Sequence, residues 1–596
     1  MDRGRMSRAV VAAFVVAGCV AGGPAPSVAA AHDADVLFAL RHPGGLDQFV
    51  RAVSDPASHR YRRYRSVKQL AARFGAPKAL RRELRRWGSR RRLQIEIGPS
   101  RTFALARTDT VRARRLLGGA GASAARTGWA PRVPASLRGA VSEVAVLPDA
   151  AAARVAGTPR QAPEPVHPFP QAFGTVRTRT GTPAGCEAGQ NAGLPTPYHG
   201  FTPNQYLTAY GHQALHRRGL FGQGVRVALV ELGGVSRKDV ATFASCFGLR
   251  VPPIRLHVVE GKPGLNGEDA VETLLDVQMI VAGAPGVESI DVYQGRLLHS
   301  GMLRLLSAAI GARRAPHVVS SSLGLCEPLW NRQRSWMEAV NDVLAVAAGA
   351  GISVVDAAGD NGSADCGGLG FFAVDFPTSS PYITSVGGTN VTLDTANRLV
   401  EEVPWNSAPG GGPAGGGGGL SSLFARPWWQ AENGLPPQRG KPDITRLVPD
   451  VAALADSYPG YAIACSVPGC KAIVQAPTGW GAVGGTSAAA PLTAAGIALA
   501  DQAARRAGQP PLGFVNPLLY RLASGPHASR IVHDVTTGSN DIGPGSPGGD
   551  GELLGCCPAH RGYDQASGWG SLKIAAFSDA ARAAAERARG PAPRHR

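Results

Sequence analysis

Three short stretches of the chain carry residue types that could act together as a catalyst. The first is Gly484-Gly485-Thr486-Ser487-Ala488-Ala489-Ala490-Pro491. Glycines ahead of a serine let the backbone turn sharply and leave room for a substrate. The run Ala488–Ala504 is a good helix, so Ser487 falls at its N-terminus, where the dipole favours developing negative charge. The plain alternative is a helix-capping serine. The second stretch is Gly267–Gln278, in which Glu272 and Asp276 are four apart and share one face of a helix. Leu274, Leu275 and Met279 give that helix an apolar side. If both acids are buried, they share protons and at least one pKa rises; in water they are merely an acidic face. The third is Ala357-Ala358-Gly359-Asp360-Asn361-Gly362, at the end of the apolar strand Ile352–Ala358. Ligand chemistry in α/β sheets collects beyond the carboxyl ends of strands, so Asp360 is either a site residue or a turn aspartate.

The elements around these stretches alternate. Val225–Leu232, Val318–Ser321 and Ile352–Ala358 read as strands, and residues 301–312 and 335–350 as helices between them. That order implies a parallel sheet with helices on both faces. Gly410–Gly419 is a glycine-rich loop with no Lys-Ser/Thr after it, a poor phosphate cradle. Pro427-Trp428-Trp429 reads as a surface segment. Earlier in the chain, Leu46–Val53, Val67–Phe74 and Leu80–Trp87 read as helices, and Leu93–Ile97 and Thr102–Ala106 as strands. Residues 118–195, rich in Ala, Gly, Pro and Thr, suit an exposed linker.

The ExxxD, GD-G and GTSA stretches, in this order, resemble the sedolisin family of serine-carboxyl peptidases, including its kumamolisin-like pro-enzymes. The resemblance implies a subtilisin-like α/β fold preceded by a small α+β propeptide domain. It assigns residues 1–31 to a signal peptide, 32–120 to the propeptide and 121–195 to a linker holding the processing site. Residues 196–576 become the catalytic domain with a C-terminal calcium loop, and 577–596 a helical tail with a frayed end. Asp55-Pro56-Ala57-Ser58-His59-Arg60-Tyr61 lies near the family's usual propeptide stretch. On this resemblance Ser487 is the nucleophile, Glu272 the general base, Asp276 its support, and Asp360 the oxyanion-hole residue. A carboxylate base works at acidic pH, and Asp360 can serve an oxyanion only as a protonated donor.

A Ser-His-Asp subtilisin would want Asp at the end of the first strand and a His-Gly-Thr-His element. Here Glu231 stands at the strand end and that element is absent from the sequence. Ser322-Leu323-Gly324 resembles the backbone edge that pairs with substrate, with Leu323 where the family usually has Trp. One Ca²⁺ ion is also implied. Its ligands would be Asp534, Asp564 and the carbonyls of Val535, His560 and Gly562, hard oxygen donors that suit calcium. The insert Asp541–Cys557 lengthens that loop.

The function implied is a secreted, acid-active endopeptidase made as a self-processing zymogen. The alternatives are a tripeptidyl-peptidase of the same family and a non-catalytic exported binding protein. Arg3, Arg5 and Arg8 before the apolar run Ala9–Val20 read as an export signal. Val16-Ala17-Gly18-Cys19 resembles a lipidation site. The chain of 596 residues has a net charge of +19, but residues 1–180 hold 31 Lys+Arg against 11 Asp+Glu. The basic part is expected to bind the acidic surface of its own catalytic domain near neutral pH and let go on acidification. No nucleic-acid partner, no membrane span and a monomer are expected, with protein or peptide substrates. After Cys19, eight cysteines remain in what reads as an exported chain, which suggests disulfides. Cys465–Cys470 and Cys326–Cys366 are the expected pairs.

Overall fold

The computed structural model describes residues 34–118, 131–148, 178–193, 199–296, 300–330, 333–366, 371–407, 414–433, 435, 445–473, 479–543 and 553–589. The signal segment, Cys19, residues 410–413 of the glycine-rich run and the end of the tail lie outside them.

The N-terminal domain is a four-stranded antiparallel sheet with helices of its own on one face and the second domain on the other. Its elements are β1 (Ala34–Leu40), α1 (Leu46–Ser54), α2 (Val67–Arg73), α3 (Lys78–Ser89), β2 (Glu96–Ile97), β3 (Phe103–Thr108), α4 (Thr110–Leu117) and β4 (Val141–Pro148). The sheet runs in the order β2-β3-β1-β4. β4 corrects the linker expectation. Alternation in Val141–Leu147 supplies a strand that pairs with β1 from Ala34↔Pro148 to Leu40↔Val141, so this domain extends to residue 148. Residues 178–193 are likewise not a linker. Thr180 and Thr182 bond to Leu393, Asn397 and Thr395, and Cys186 is disulfide-bonded to Cys246.

The second domain is built on a ten-stranded, mostly parallel sheet. Its elements here are β5 (Arg226–Glu231), β6 (Ile254–Val258), α5 (Glu268–Gly283), β7 (Ser289–Gln294), α6 (Gly301–Ile310), β8 (Val318–Ser321), α7 (Arg334–Gly349), β9 (Ser353–Ala357), β10 (Thr384–Leu393), β11 (Val451–Leu454), α8 (Thr486–Arg506), β12 (Val532–His533), β13 (Ser571–Leu572) and α9 (Ile574–Arg589). The order is β12-β13-β11-β10-β9-β8-β5-β7-β6, with Leu399–Pro404 added antiparallel to β10. α5, α8 and α9 pack on one face, α6 and α7 on the other. Subtilisin-like α/β architecture, helices on both faces, is therefore what the chain adopts.

Leu37, Phe103, Leu105, Ala145 and Leu147 from one face of the N-terminal sheet join the core of α6 and α7. The opposite face, through Val36, Phe38, Ala104 and Val144, packs under Leu84 and Trp87 of α3. The Arg-rich side of α3 thus faces away from the second domain, against the expectation that bulk charge joins the two bodies. The domain contacts are apolar with pairs of both polarities. Arg51 meets Glu432 at 2.5 Å and Arg107 meets Glu260, while Arg304 of the second domain meets Asp35 at 3.0 Å and Glu96 at 2.5 Å. Trp429, read as surface, is only 1% exposed: it packs edge-on against Tyr520 and Phe514, with Arg446 over its ring.

All eight remaining cysteines are paired: Cys186–Cys246, Cys326–Cys366, Cys465–Cys470 and Cys556–Cys557.

Candidate active site

The strand Trp480–Val483 ends in Gly484-Gly485, and α8 begins immediately after. Gly485 has φ +102°, the left-handed region that glycine tolerates without penalty. A Cβ on Gly484 would lie 2.3 Å from the Ala455 carbonyl. The turn sets Ser487, fully buried, as the second residue of α8. Pro491 lies inside the helix and has no N–H for the carbonyl four residues back, which is that of Ser487.

Asp360 follows directly after β9 and Gly359. Its Oδ1 accepts the Thr486 amide at 2.8 Å and the Thr486 hydroxyl at 2.7 Å, which ties it to the start of α8. Gly359 has φ +115°, and a Cβ there would lie 2.4 Å from the Asp365 carboxyl. Thr486 is a holding residue that the sequence reading passed over, although it sits inside the GTSA stretch.

α5 carries Glu272 and Asp276 into the same place. Their exposures are 4% and 0%, so this is no solvated acidic face. The Ser322 hydroxyl donates to Asp276 Oδ2 at 2.9 Å and lies 3.4 Å from the Ser487 carbonyl that Pro491 leaves open. Glu231, at the end of β5, accepts from the Thr273 hydroxyl at 3.2 Å. The Glu272 carboxyl interacts with the Ser487 hydroxyl, and neither closes a regular hydrogen bond to the rest of the described chain.

Burial holds the Glu272 carboxyl well above the usual carboxylate range, and the Asp276 charge adds to it. Asp276 is pushed up in the same way, first by burial and then by Glu231. Glu231 is raised by burial and by Glu272. Asp356 and Asp365, behind the Asp360 loop, are also raised well above their usual value by burial, and both feel Asp375. Asp356 stands on β9, opposite Ser321 and Ser385. Nothing in one sequence separates such acids from turn residues. A site of this kind binds its first protons tightly and ionises group by group.

Of the substrate-edge residues, Ser322 turns its hydroxyl to Asp276, and Leu323 is 2% exposed within the α6–α7 core. That leaves the backbone of 322–324 for pairing. The Cys326–Cys366 disulfide ties the segment after this edge to the segment after Asp360.

The candidate metal residues gather on one turn. Both Asp534 oxygens accept the Gly562 amide, at 3.2 and 3.0 Å. Asp564 accepts the His560 amide at 3.0 Å through one oxygen, and the Ala566 and Ser567 amides through the other. Burial raises Asp564 to about 6, a cost that a bound cation would offset. Two carboxylates on a turn rich in carbonyls match hard-cation chemistry. Among the described residues no group of three or more His, Cys, Asp or Glu side chains is placed to hold a metal ion, so any ion here leans on carbonyls.

A model of the Subtilase family matches residues 282–511. Kumamolisin of Bacillus sp. (strain MN-32) is 35% identical over 364 residues, 60% of this chain and 60% of that protein. Tripeptidyl-peptidase 1 of Bos taurus is 28% identical over 582 residues, covering 91% of this chain and 90% of that protein. Among solved structures, Pseudomonas sedolisin, a serine-carboxyl proteinase complexed with two molecules of pseudo-iodotyrostatin, aligns with TM-score 0.52 and 27% identity. It covers 65% of this chain and 99% of that one.

Proposed function

The chain belongs to the sedolisin family, and on that premise we propose that it is a secreted, acid-active serine-carboxyl endopeptidase made as a self-processing zymogen. One observation carries the reading: the buried Glu272 carboxyl interacts with the buried Ser487 hydroxyl, and among the described residues neither has a competing hydrogen bond.

Ser487 Oγ attacks the scissile carbonyl carbon while Glu272 takes its proton. The charge forming on the carbonyl oxygen meets the N-terminal end of α8 and the Asp360 carboxyl, protonated and donating. Glu272 then returns the proton to the leaving amine, the C–N bond breaks, and an acyl-enzyme remains. Water, deprotonated by the same carboxylate, hydrolyses it. Asp276, held by Ser322, fixes Glu272. The reaction needs Glu272 ionised and Asp360 protonated. Crowded carboxyls meet both needs: the first ionisation supplies the base and the repulsion holds later protons in place. The activity therefore falls on both sides of an acidic optimum.

The N-terminal domain acts as a propeptide in cis. Among the described residues it packs on α6 and α7, and Arg62 and Tyr64 reach the carbonyls of Ala581 on α9 and of Leu512. Processing belongs between Pro148, the end of β4, and Thr178, since both sides are tied to their own domain. One Ca²⁺, held by Asp534, Asp564 and the carbonyls of Val535, His560 and Gly562, would brace the C-terminal turn and take no part in the chemistry. Protein or peptide substrates follow from the reaction. Among the described residues no helix is long and apolar enough to cross a membrane.

The test is hydrolysis of an unstructured protein from pH 2 to 8 after holding the zymogen in acid, with Ser487→Ala alongside and products read by mass spectrometry. Acid-peaked cleavage absent from Ser487→Ala supports the reading, and fragment lengths separate endo- from tripeptidyl cleavage. No processing and no cleavage at any pH would transfer the assignment to a non-catalytic binding protein.

A further inference from the structure

α3 puts a row of cations where none of the described residues answers them with an acid. Arg82, Arg86 and Arg90 are spaced four apart with Arg85 beside them, and all four are exposed. Lys78 and Arg92 are exposed at either end, and Glu83 is the only acid between Lys78 and Arg92. The four arginines span about 12 Å along the helix at ~1.5 Å per residue. Among the described residues none of the four pairs with an acid, whereas arginines at the domain contact do. Arg85 adds to the burial and the Arg101 charge that lower the neighbouring Arg81. The row's direction is fixed by packing: Leu84 and Trp87 on the other side of α3 are locked into the N-terminal core. Because that sheet uses its opposite face on α6 and α7, the row points away from the enzyme.

We propose that this outward row of Arg82, Arg85, Arg86 and Arg90 docks the zymogen on an anionic phospholipid surface. The proposal rests on the zymogen reading above, since an exported chain meets such a surface on leaving the membrane. A flat row of guanidinium groups suits a layer of phosphate headgroups, which needs no groove and no base-stacking aromatics. Duplex nucleic acid is the other polyanion such a row meets, and the test below sets it against the lipid surface. The consequence for activation is local acidity. An anionic surface concentrates protons as it concentrates other cations, so a docked zymogen meets a lower pH than one in bulk solution. Removing the N-terminal domain would then release the mature enzyme.

The test uses full-length Ser487→Ala protein, which cannot process itself, in sedimentation with phosphatidylcholine vesicles with and without phosphatidylglycerol. Binding should require the anionic lipid and weaken with salt. Changing all four arginines to glutamine should lower it by roughly 10³-fold, at about one salt-sensitive contact per arginine, and changing all four to lysine should retain it. In the Ser487 background the glutamine variant should self-process in acid, without vesicles, at the parent rate, which shows it folded. If it does not fold, salt titration and the lysine variant of the parent still decide. Equal binding to neutral vesicles, salt-independent binding, or tighter binding to duplex DNA would overturn the proposal. A parent that binds vesicles but never self-processes would instead overturn the peptidase reading.

Discussion

Asp501 offers a quantitative test of how the fold responds to pH. It lies on α8 with no exposure, and its Oδ1 accepts the Leu512 amide at 2.6 Å. Burial raises its carboxyl from the usual 3.8 to about 7; the Leu512 amide, Arg62 and Arg505 pull the other way without cancelling it. Arg62 comes from the N-terminal domain, is 3% exposed, and donates to the Ala581 carbonyl at 3.1 Å. A carboxyl raised in the folded state binds its proton more tightly there than when unfolded. It therefore contributes stability that is complete below pH ~4 and is lost as pH rises through ~7. A shift from 3.8 to about 7 corresponds to roughly 4 kcal/mol at 1.36 kcal/mol per unit. Asp501→Asn keeps an acceptor for Leu512 and removes the titration. Urea midpoints measured at pH 4 and pH 8 in the Ser487→Ala background should show the parent losing up to about 4 kcal/mol more than the variant between the two. Identical pH dependence in the two proteins would refute the argument. A companion Arg62→Met should loosen the docked N-terminal domain most at pH 8, where Asp501 is ionised, and least at pH 4.

Three further outcomes follow from the site. Ser322→Ala removes the donor that holds Asp276, so kcat/KM should fall by roughly 10- to 100-fold, the range for a bond to a charged group. The acidic limb of its pH–rate profile should move to lower pH, because loss of this bond raises the Asp276 carboxyl, and a neutral Asp276 no longer raises Glu272; an unchanged profile would make Ser322 merely structural. Replacing Cys326 and Cys366 together by Ala opens a link across 40 residues, worth about 4 kcal/mol in the chain-entropy account, and should lower the urea midpoint along with the activity. Chelation with EGTA should lower the melting temperature, with recovery on adding Ca²⁺ but not Mg²⁺, and Asp564→Asn should no longer respond; a melting temperature indifferent to EGTA removes calcium from the account.

The legible parts of the sequence were those where chemistry or backbone geometry demands a residue type at a fixed distance. Glu272 and Asp276 had to share a helix face, Ser487 had to follow two glycines, and Asp360 had to end a strand; α5, α8 and β9 place them so. β5, β8 and β9 were readable from their unbroken apolar runs, the mark of strands covered on both faces. β4 was hidden because Val141–Leu147 sits in a stretch whose Ala, Gly and Pro content dominates any window, and its partner β1 lies a hundred residues earlier. Trp429 looked exposed beside a proline, yet its ring is claimed by Tyr520, Phe514 and Arg446, all distant in sequence. Ser322 showed as a backbone edge only; its hydroxyl partner is 46 residues away and emerges once β8 meets α5.

One domain hides many acids because they are neutral in acid. Glu231, Glu272, Asp276, Asp356 and Asp365 are all raised by burial, and most of them by one another. Every such group adds stability below the ordinary carboxylate range and subtracts it as the pH climbs. At neutral pH the cluster would be a defect, a set of like charges taken out of water. In acid most of these carboxyls are neutral and can donate hydrogen bonds as well as accept them. A serine peptidase with a carboxylate base needs that environment for its chemistry, and the packing around Ser487 needs it to remain folded. On the proposed function an acidic optimum and acid stability are one property of the buried carboxyls, so substitutions that neutralise Asp356 or Asp365 should widen the stable pH range upward even though neither residue touches Ser487 in the mechanism proposed.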